Sequence, residues 1–340
     1  MSVEFDWPAL LRRVVAGEDL GFDEAGAAMS DIMAGQANPS QIAAFLVAMR
    51  AKGETVEEMA GLVSSMRRVA VTVDVGDDVV DLVGTGGDGL STFNISTTAA
   101  IIAAGAGARL AKHGNRAASS RCGAADVLEA LGMNLDAEPE VVARMVTETG
   151  FGFFFAPRYH PSMRHAGPIR RDLGIPTVFN FLGPLANPAN ATRQATGVGV
   201  GDMAAKMVQV LDRLGSDRAM VFVGHGGMDE LTLSGPSHIW ELEGGAITTR
   251  QVAPSDVGLD EAPIEAVLGG SSEENKNIVL SILAGEEGPR RDIAVLNAAA
   301  ALWVAALVPN LAEGVKAAQV SIDSHRASNV LAESIEISNS

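Results

Sequence analysis

The residue types that anion chemistry needs are gathered in a few short stretches. The first is Gly84-Thr85-Gly86-Gly87-Asp88-Gly89, which follows the apolar run Val79–Val83 and leads into Ser91-Thr92-Phe93-Asn94-Ile95-Ser96-Thr97. A glycine-rich turn after a strand lets several backbone N–H groups converge on one anion. The Ala-rich segment that begins near Ser96 reads as a helix, and its first N–H groups and positive dipole end suit phosphate. The hydroxyls of Ser96 and Thr97 suit phosphate or a hard cation such as Mg2+. Asn94 and Ser96 are equally ordinary helix-capping types. Gly84-x-Gly86-x-x-Gly89 also fits the dinucleotide pattern, but the helix starts too late and no acidic residue stands about 20 residues downstream to hold a ribose. No Gly-Lys-Ser/Thr follows, so this is not a P-loop.

The second stretch, Lys112-His113-Gly114-Asn115-Arg116 through Ser119-Ser120-Arg121-Cys122-Gly123-Ala124, places cations and hydroxyls on a loop of small residues. It reads as a positive patch for an anion or as a solvated basic loop. The third, His225-Gly-Gly-Met-Asp229-Glu230, pairs two carboxylates. Adjacent acids repel in a dry site, so a buried pair makes sense chiefly around a metal; an exposed pair is an ordinary acidic turn. The fourth runs from Pro157 through His160 to Arg170-Arg171, then through Asn180-Phe-Leu-Gly183-Pro184 to Pro188. Arg170 on a helix can grip a carboxylate with its planar fork, or simply form a surface ion pair.

The elements that must position these residues change character along the chain. Asn38-Pro39 reads as a helix cap with proline at the first helical position. The run from Gln41 is apolar at helical spacing and stops at Gly53, and Thr55-Val-Glu-Glu58 has capping-box spacing. A β-rich run appears at Val69–Val73. Beyond it strands are expected at 79–83, 109–113, 151–155, 195–200 and 219–223, with a hairpin of 239–242 and 246–249 around Gly244-Gly245. Helices are expected from about Ser96, at 127–131, around 141–149, at 203–214, 274–283 and 291–307, and the final residues are expected to fray. Alternating strands and helices imply a largely parallel sheet covered on both faces.

Composition narrows the partners. The chain has 340 residues, enough for about two domains, and only 4 % aromatic residues within a 47 % hydrophobic share, so its core is built mainly from Ala, Val, Leu, Ile and Met. The formal net charge of −17 disfavours nucleic acid and anionic membranes, and requires any phosphate site to be locally inverted by cations or amide dipoles. One cysteine, Cys122, excludes an internal disulfide and fits a reducing cytoplasm. No signal peptide is visible. The most apolar long segment, 298–309, falls short of the roughly 18 apolar residues a membrane span needs.

In order and spacing, these motifs closely resemble the anthranilate phosphoribosyltransferase family over nearly the whole chain. The likeness is carried by Gly84-Thr-Gly-Gly-Asp-Gly with Thr92-Phe-Asn-Ile-Ser-Thr97, by Lys112-His-Gly-Asn-Arg116 through Leu128-Glu-Ala-Leu-Gly132, and by Ala156-Pro to Arg171. Asn180–Pro188 and Asp229-Glu230-Leu231 complete it. The resemblance implies an α/β fold of the nucleoside phosphorylase and class II phosphoribosyltransferase kind, with a small helical N-terminal domain and a larger α/β domain around a mostly parallel sheet. The helical domain would take residues 1–73 with a return segment at about 167–190, and the α/β domain 74–166 and 191–340, with the active site between them.

The same resemblance implies transfer of the phosphoribosyl group from 5-phosphoribosyl 1-pyrophosphate to anthranilate in tryptophan biosynthesis, by a cytoplasmic homodimer using two Mg2+ ions. Gly84, Thr85, Gly86, Gly87, Asp88, Thr92, Asn94, Ser96, Thr97, Lys112, Ser120, Gly123 and Ala124 would surround the ribosyl donor. Gly84, His113, Asn115, His160, Arg170 and Pro184 would line the path of anthranilate, with Arg170 on its carboxylate. Ser96, Asp229 and Glu230 would hold metal. No residue is assigned as general acid or base. Arg121, Cys122 and Ser271 depart from the family's usual Lys, Ser and Asp. Rival readings are a pyrimidine nucleoside phosphorylase, a noncatalytic nucleic-acid-binding homologue, and, from the bare glycine pattern, an NAD-dependent oxidoreductase.

Overall fold

The computed structural model describes residues 5–117 and 121–340. Four helices come first: α1 (Trp7–Val15), α2 (Phe22–Met33), α3 (Pro39–Lys52) and α4 (Val56–Arg68). Their ends follow local chemistry. Asn38 and Gln41 exchange hydrogen bonds ahead of α3, and Thr55 and Glu58 do the same ahead of α4, each satisfying N–H groups that a helix start leaves free. Gly53, at φ +86°, ends α3 where a side chain would be strained.

A seven-stranded sheet follows. Its strands are β1 (Val79–Gly84), β2 (Arg109–Gly114), β3 (Phe151–Phe155), β4 (Arg193–Gly197), β5 (Arg218–Val223), β6 (Ser237–Glu243) and β7 (Ala246–Val252), in the order β3-β2-β1-β4-β5-β6-β7. The first five are parallel; β6 and β7 form an antiparallel hairpin on β5. Between them lie α5 (Ile95–Gly105), α6 (Ala124–Ala130), α7 (Pro139–Thr149), α8 (Ala156–Tyr159), α9 (Gly167–Leu173), α10 (Phe179–Leu185) and α11 (Gly201–Arg213). The chain ends in α12 (Ser272–Leu283), α13 (Pro289–Val304), α14 (Leu311–Asp323) and α15 (Arg326–Ser338). No described helix is long and apolar enough to cross a membrane.

Two apolar cores meet at the sheet. Met220 and Phe222 of β5 face the core built with α5, α7 and α13 to α15, where Ala298–Ala301 of α13 are fully buried. Their neighbours Ala219 and Val221 face the other way, as the alternation of a strand requires. That second core joins α11 to α1–α4, Ala166 and the buried residues of Val178–Ala186. Arg213 of α11 pairs with Glu57 of α4, and Lys206 donates to the Glu54 carbonyl, so α11 is the layer between sheet and helical bundle.

Some expectations are corrected. Val69–Val73 forms no strand: Val71 donates to the Tyr159 carbonyl and Val73 to that of Pro188, which makes the run an extended connector. β4 spans Arg193–Gly197 rather than 195–200. α13 stops at Val304 rather than Leu307, because Ala306 turns to φ +60°. The last residues are not frayed in the structure: the Ser338 hydroxyl accepts from the Asn134 N–H, and Asn339 donates to the Gly132 carbonyl.

The topology fixes where chemistry can occur. After β3 the chain returns to the far side of β1 to make β4, so β1 and β4 flank the switch point of the parallel sheet, where ligands of such folds bind beyond the strand C-termini. Gly84 is in register with Gly197, and Gly197 with Phe222. The Asp229 backbone packs directly on Gly197. A methyl there would overlap the Asp229 carbonyl, whereas one on Gly201 meets nothing within 4 Å. Gly197→Ala is therefore expected to lower Tm by at least about 4 °C and Gly201→Ala to leave it unchanged or slightly raised; equal thermal melts for the two variants would contradict this packing.

Candidate active site

Gly84 ends β1, and the loop after it is held open from both sides. The Thr85 N–H donates to the Gly197 carbonyl at 2.9 Å, and the Gly86 N–H donates to Asp229 Oδ2 at 2.6 Å. Gly86, Gly87 and Gly89 all have positive φ, the conformation only glycine adopts without strain. Farther along, the loop is anchored to segment 267–269: Phe93 donates to the Val267 carbonyl and Gly269 to that of Ser91, and Thr92 bridges Leu268.

At the start of α5, Asn94 occupies the cap position but makes no capping bond, so the capping alternative does not hold for its side chain. Asn94 instead donates to the Cys122 carbonyl at 3.1 Å and accepts from Asn275 at 2.8 Å. Thr97 is buried, and its hydroxyl has no hydrogen-bond partner among the described residues. Lys112 enters from β2 beneath this helix start. It is 2 % exposed and donates to the Leu82 carbonyl at 2.5 Å and to the Ser96 hydroxyl at 3.2 Å.

Asp229 and Glu230 face this group from the loop after β5. Asn297 of α13 holds the segment by accepting from the Leu231 N–H and donating to its carbonyl. Burial, then the neighbouring Asp88, pushes the Asp229 carboxyl up to about 7. Burial and then Asp229 push Glu230 well above the carboxylate range, against the pull of Lys112. Burial lowers Lys112, while Asp81, Glu230 and Asp229 oppose that. Three acids thus share a single buried ammonium, so ionising all of them is unfavourable unless a divalent cation joins them. Among the described residues no group of three or more His, Cys, Asp or Glu is placed to hold an ion. Two carboxylates with the Ser96 hydroxyl are a partial set, the kind Mg2+ completes with substrate phosphates and water.

The stretch expected to receive an aromatic acid assembles around α10. His113 packs against His160, with ring centroids 5.1 Å apart. Burial and then His160 push His113 down to about 3, opposed by the Gly183 backbone, so His113 is neutral at pH 7, and its buried Nε2 has no partner among the described residues. His160 contacts the Ala186 carbonyl through Nε2 at 2.9 Å and is also lowered, by burial. Arg170 of α9 lies over the Phe179 ring at 5.1 Å and forms no ion pair with a described residue. Phe179 and Gly183 are one helical turn apart on α10, so that helix carries Arg170 near one end and His113 near the other. Pro184 is buried, and its carbonyl accepts from Gln194.

Other expected residues sit differently. Arg116 is tied to Asp126 and Glu129 and stacks on Phe155, so it is not a free cation for substrate. The N–H groups of Ala117 and Gly123 are taken by Asp126. Asn115 accepts from the Arg116 N–H, and Ala124 opens α6. Ser120 lies outside the described residues. Cys122 is buried. Ser271 caps α12 by accepting from Glu274 N–H. Asp81, Asn275 and Asn297 were missed as supporting groups. Each had a signal: a polar residue inside an otherwise apolar strand or helix face. Cavities of about 1390, 630 and 420 Å3 lie elsewhere, and none is lined by Lys112, Asp229 or Glu230.

A helical bundle joined to an α/β unit, with an anion loop and paired acids at the switch point, defines a group-transfer enzyme. Models of a glycosyl transferase family match the same two parts, the helical bundle domain over residues 8–70 and the a/b domain over 76–328. The anthranilate phosphoribosyltransferase of Chloroflexus aggregans is 54 % identical over 96 % of both chains. The crystal structure of the anthranilate phosphoribosyltransferase from Thermus thermophilus superposes with a TM-score of 0.93 at 42 % identity, covering 97 % of this chain and 99 % of that one. The Saccharomyces cerevisiae enzyme in complex with PRPP and Mg superposes at 0.90 with 28 % identity over 99 % of both. The chain belongs to the anthranilate phosphoribosyltransferase family.

The acid cluster gives stability a defined pH dependence. With a folded value near 7 and an unfolded value near 4, Asp229 binds a proton in the native state that the unfolded chain has released. Stability therefore falls as pH rises through that window. Without ligands, Asp229→Asn should gain roughly 2–4 °C in Tm over the parent between pH 5 and pH 8. A Tm difference that does not change with pH would contradict the burial of this carboxylate.

Proposed function

We propose that this chain transfers the phosphoribosyl group of 5-phosphoribosyl 1-pyrophosphate to anthranilate, giving N-(5-phosphoribosyl)anthranilate and pyrophosphate, in tryptophan biosynthesis. The observation that carries the reading is the convergence of the Gly84 loop, the α5 start, Lys112 and the Asp229-Glu230 pair at one switch point. The donor's diphosphate occupies the glycine loop and the N–H groups of α5, with Thr97 and Lys112 beside it. Mg2+, held by Ser96 and Glu230 and a second ion by Asp229 and Glu230, neutralises the diphosphate when bound.

The chain's own residues account for the rest. The anthranilate amine is neutral at pH 7 with a free lone pair, so no general base is needed, and neutral His113 is too weakly basic to serve as one. The harder task is ionising the bond from C1′ to the leaving oxygen. Lys112 and the α5 amides stabilise the charge that grows on pyrophosphate, the kind of preorganised contact that commonly supplies several kcal/mol. His113, His160 and Pro184 shape an aromatic slot, and Arg170 takes the carboxylate. In this reading residues 1–73 with 167–190 form the helical part and 74–166 with 191–340 the α/β part, and narrowing the cleft between them over bound substrates excludes water from the ribosyl centre. The resemblance to the family carries the homodimer through the helical part, and the single cysteine supports a cytoplasmic setting.

The direct test is to mix protein, anthranilate, donor and Mg2+ and follow anthranilate fluorescence. Loss of signal with product formation is expected, and phosphorolysis of thymidine or uridine in its place would favour the phosphorylase reading. Arg170→Ala should raise the anthranilate KM at least about tenfold, the loss expected for one charge-assisted contact, with the donor KM little changed. Equal rises in both would remove Arg170 from the acceptor site.

A further inference from the structure

Asn275, in the first turn of α12, is 1 % exposed and belongs to none of the motifs so far assigned to substrate. Its Oδ1 accepts from the Gly270 N–H at 2.8 Å, and its Nδ2 donates to Asn94 Oδ1 at 2.8 Å. Asn94 in turn donates through Nδ2 to the Cys122 carbonyl at 3.1 Å. Both ends of this chain are chemically fixed, because a backbone N–H can only donate and a backbone carbonyl can only accept. The orientation of both amides between them is therefore fixed as well. The relay spans three separate segments: the start of α12, the start of α5 and the loop that precedes α6.

The relay determines what Asn94 does. Asn94 stands at the cap position of α5, where an asparagine side chain ordinarily accepts from the second or third helical N–H, here those of Ser96 and Thr97. With its Oδ1 held by Asn275, it makes no such bond. The helix start therefore lacks its usual side-chain cap: the Ser96 N–H bonds the Glu230 carboxylate, and the Thr97 N–H is not taken by Asn94. Gly269 lets the anchoring segment come this close: a methyl there would lie 2.6 Å from the Phe93 Cα and 2.7 Å from Asn275 Oδ1.

We infer that Asn275 is a positioning residue for the ribosyl donor, acting through Asn94 to keep that side chain off the first α5 amides and to hold the two substrate loops in register. The inference rests on the donor-site reading above. It separates donor from acceptor, since the relay touches neither α9 nor α10.

Four variants test it: Asn275→Ala, Asn275→Asp, Asn94→Ala and the double variant Asn94→Ala/Asn275→Ala. Asn275→Asp keeps the acceptor for Gly270 but sets a second oxygen against Asn94 Oδ1. If Asn94 flips to donate, its oxygen meets the Cys122 carbonyl, so the relay breaks either way. This variant decides the matter should Asn275→Ala not fold, and Tm is measured for each. Both Asn275 variants are expected to raise the donor KM about tenfold, the scale of one buried hydrogen bond lost, with the anthranilate KM within about twofold. The double variant should be no worse than Asn94→Ala, the non-additivity of residues acting in one chain. Multiplied penalties, equal rises in both KM values, or an unchanged donor KM in Asn275→Asp while Asn94→Ala is impaired would overturn the relay alone. An unchanged donor KM in Asn94→Ala would also overturn the relay, whereas an unchanged donor KM in Lys112→Met would overturn the donor-site reading beneath it.

Discussion

Asp229, half-buried, and Glu230, buried, are carboxylates side by side, with Lys112 as the buried cation that faces them. Like charges in a low-dielectric site repel strongly, and each also loses its hydration. Much of the surrounding structure can be traced to keeping this pair in place. Gly84 and Gly197 lack side chains where the Asp229 carboxylate and carbonyl approach. Asn297 of α13 holds the next residue from both its N–H and its carbonyl. The Gly86 amide binds the acid directly, so the glycine loop and the acid pair are one unit, poised for a partner that is polyanionic and arrives with divalent cations.

That arrangement resolves the tension between a net charge of −17 and a diphosphate substrate. The long-range field of the protein repels such a ligand, but local potential is set by what lies within a few ångströms. There, Lys112 and the positive end of α5 supply positive potential without exposing a cluster of basic side chains. The basic loop does not supply it through Arg116, whose charge is spent on Asp126 and Glu129.

Much of the fold was legible in the sequence because the relevant signals are local. The capping boxes at Asn38 and Thr55, the apolar stretches of β1, β3 and β5, and Gly244-Gly245 between β6 and β7 each act over a few residues. Where reading failed, a distant contact decided. Val69–Val73 has strand composition, but its hydrogen bonds go to Tyr159 and Pro188, outside the sheet. The last helix is ordered by Asn134 and Gly132, about two hundred positions earlier in the chain. In the site, glycine spacing revealed the loop and the Asp-Glu pair revealed the acids. Residue type could not show that Asn94 is drawn away from capping, since Asn275 lies far along the chain and only the fold brings them together.

The acid pair and the start of α5 are expected to receive a diphosphate only together with divalent cations. Calorimetric titration of the intact protein with phosphoribosyl pyrophosphate tests it most directly, once with excess Mg2+ and once with a chelator present. Binding in the first case, and loss of at least about tenfold in affinity in the second, is the expected result. Equal affinity in both, or no association even with Mg2+ in excess, would contradict it.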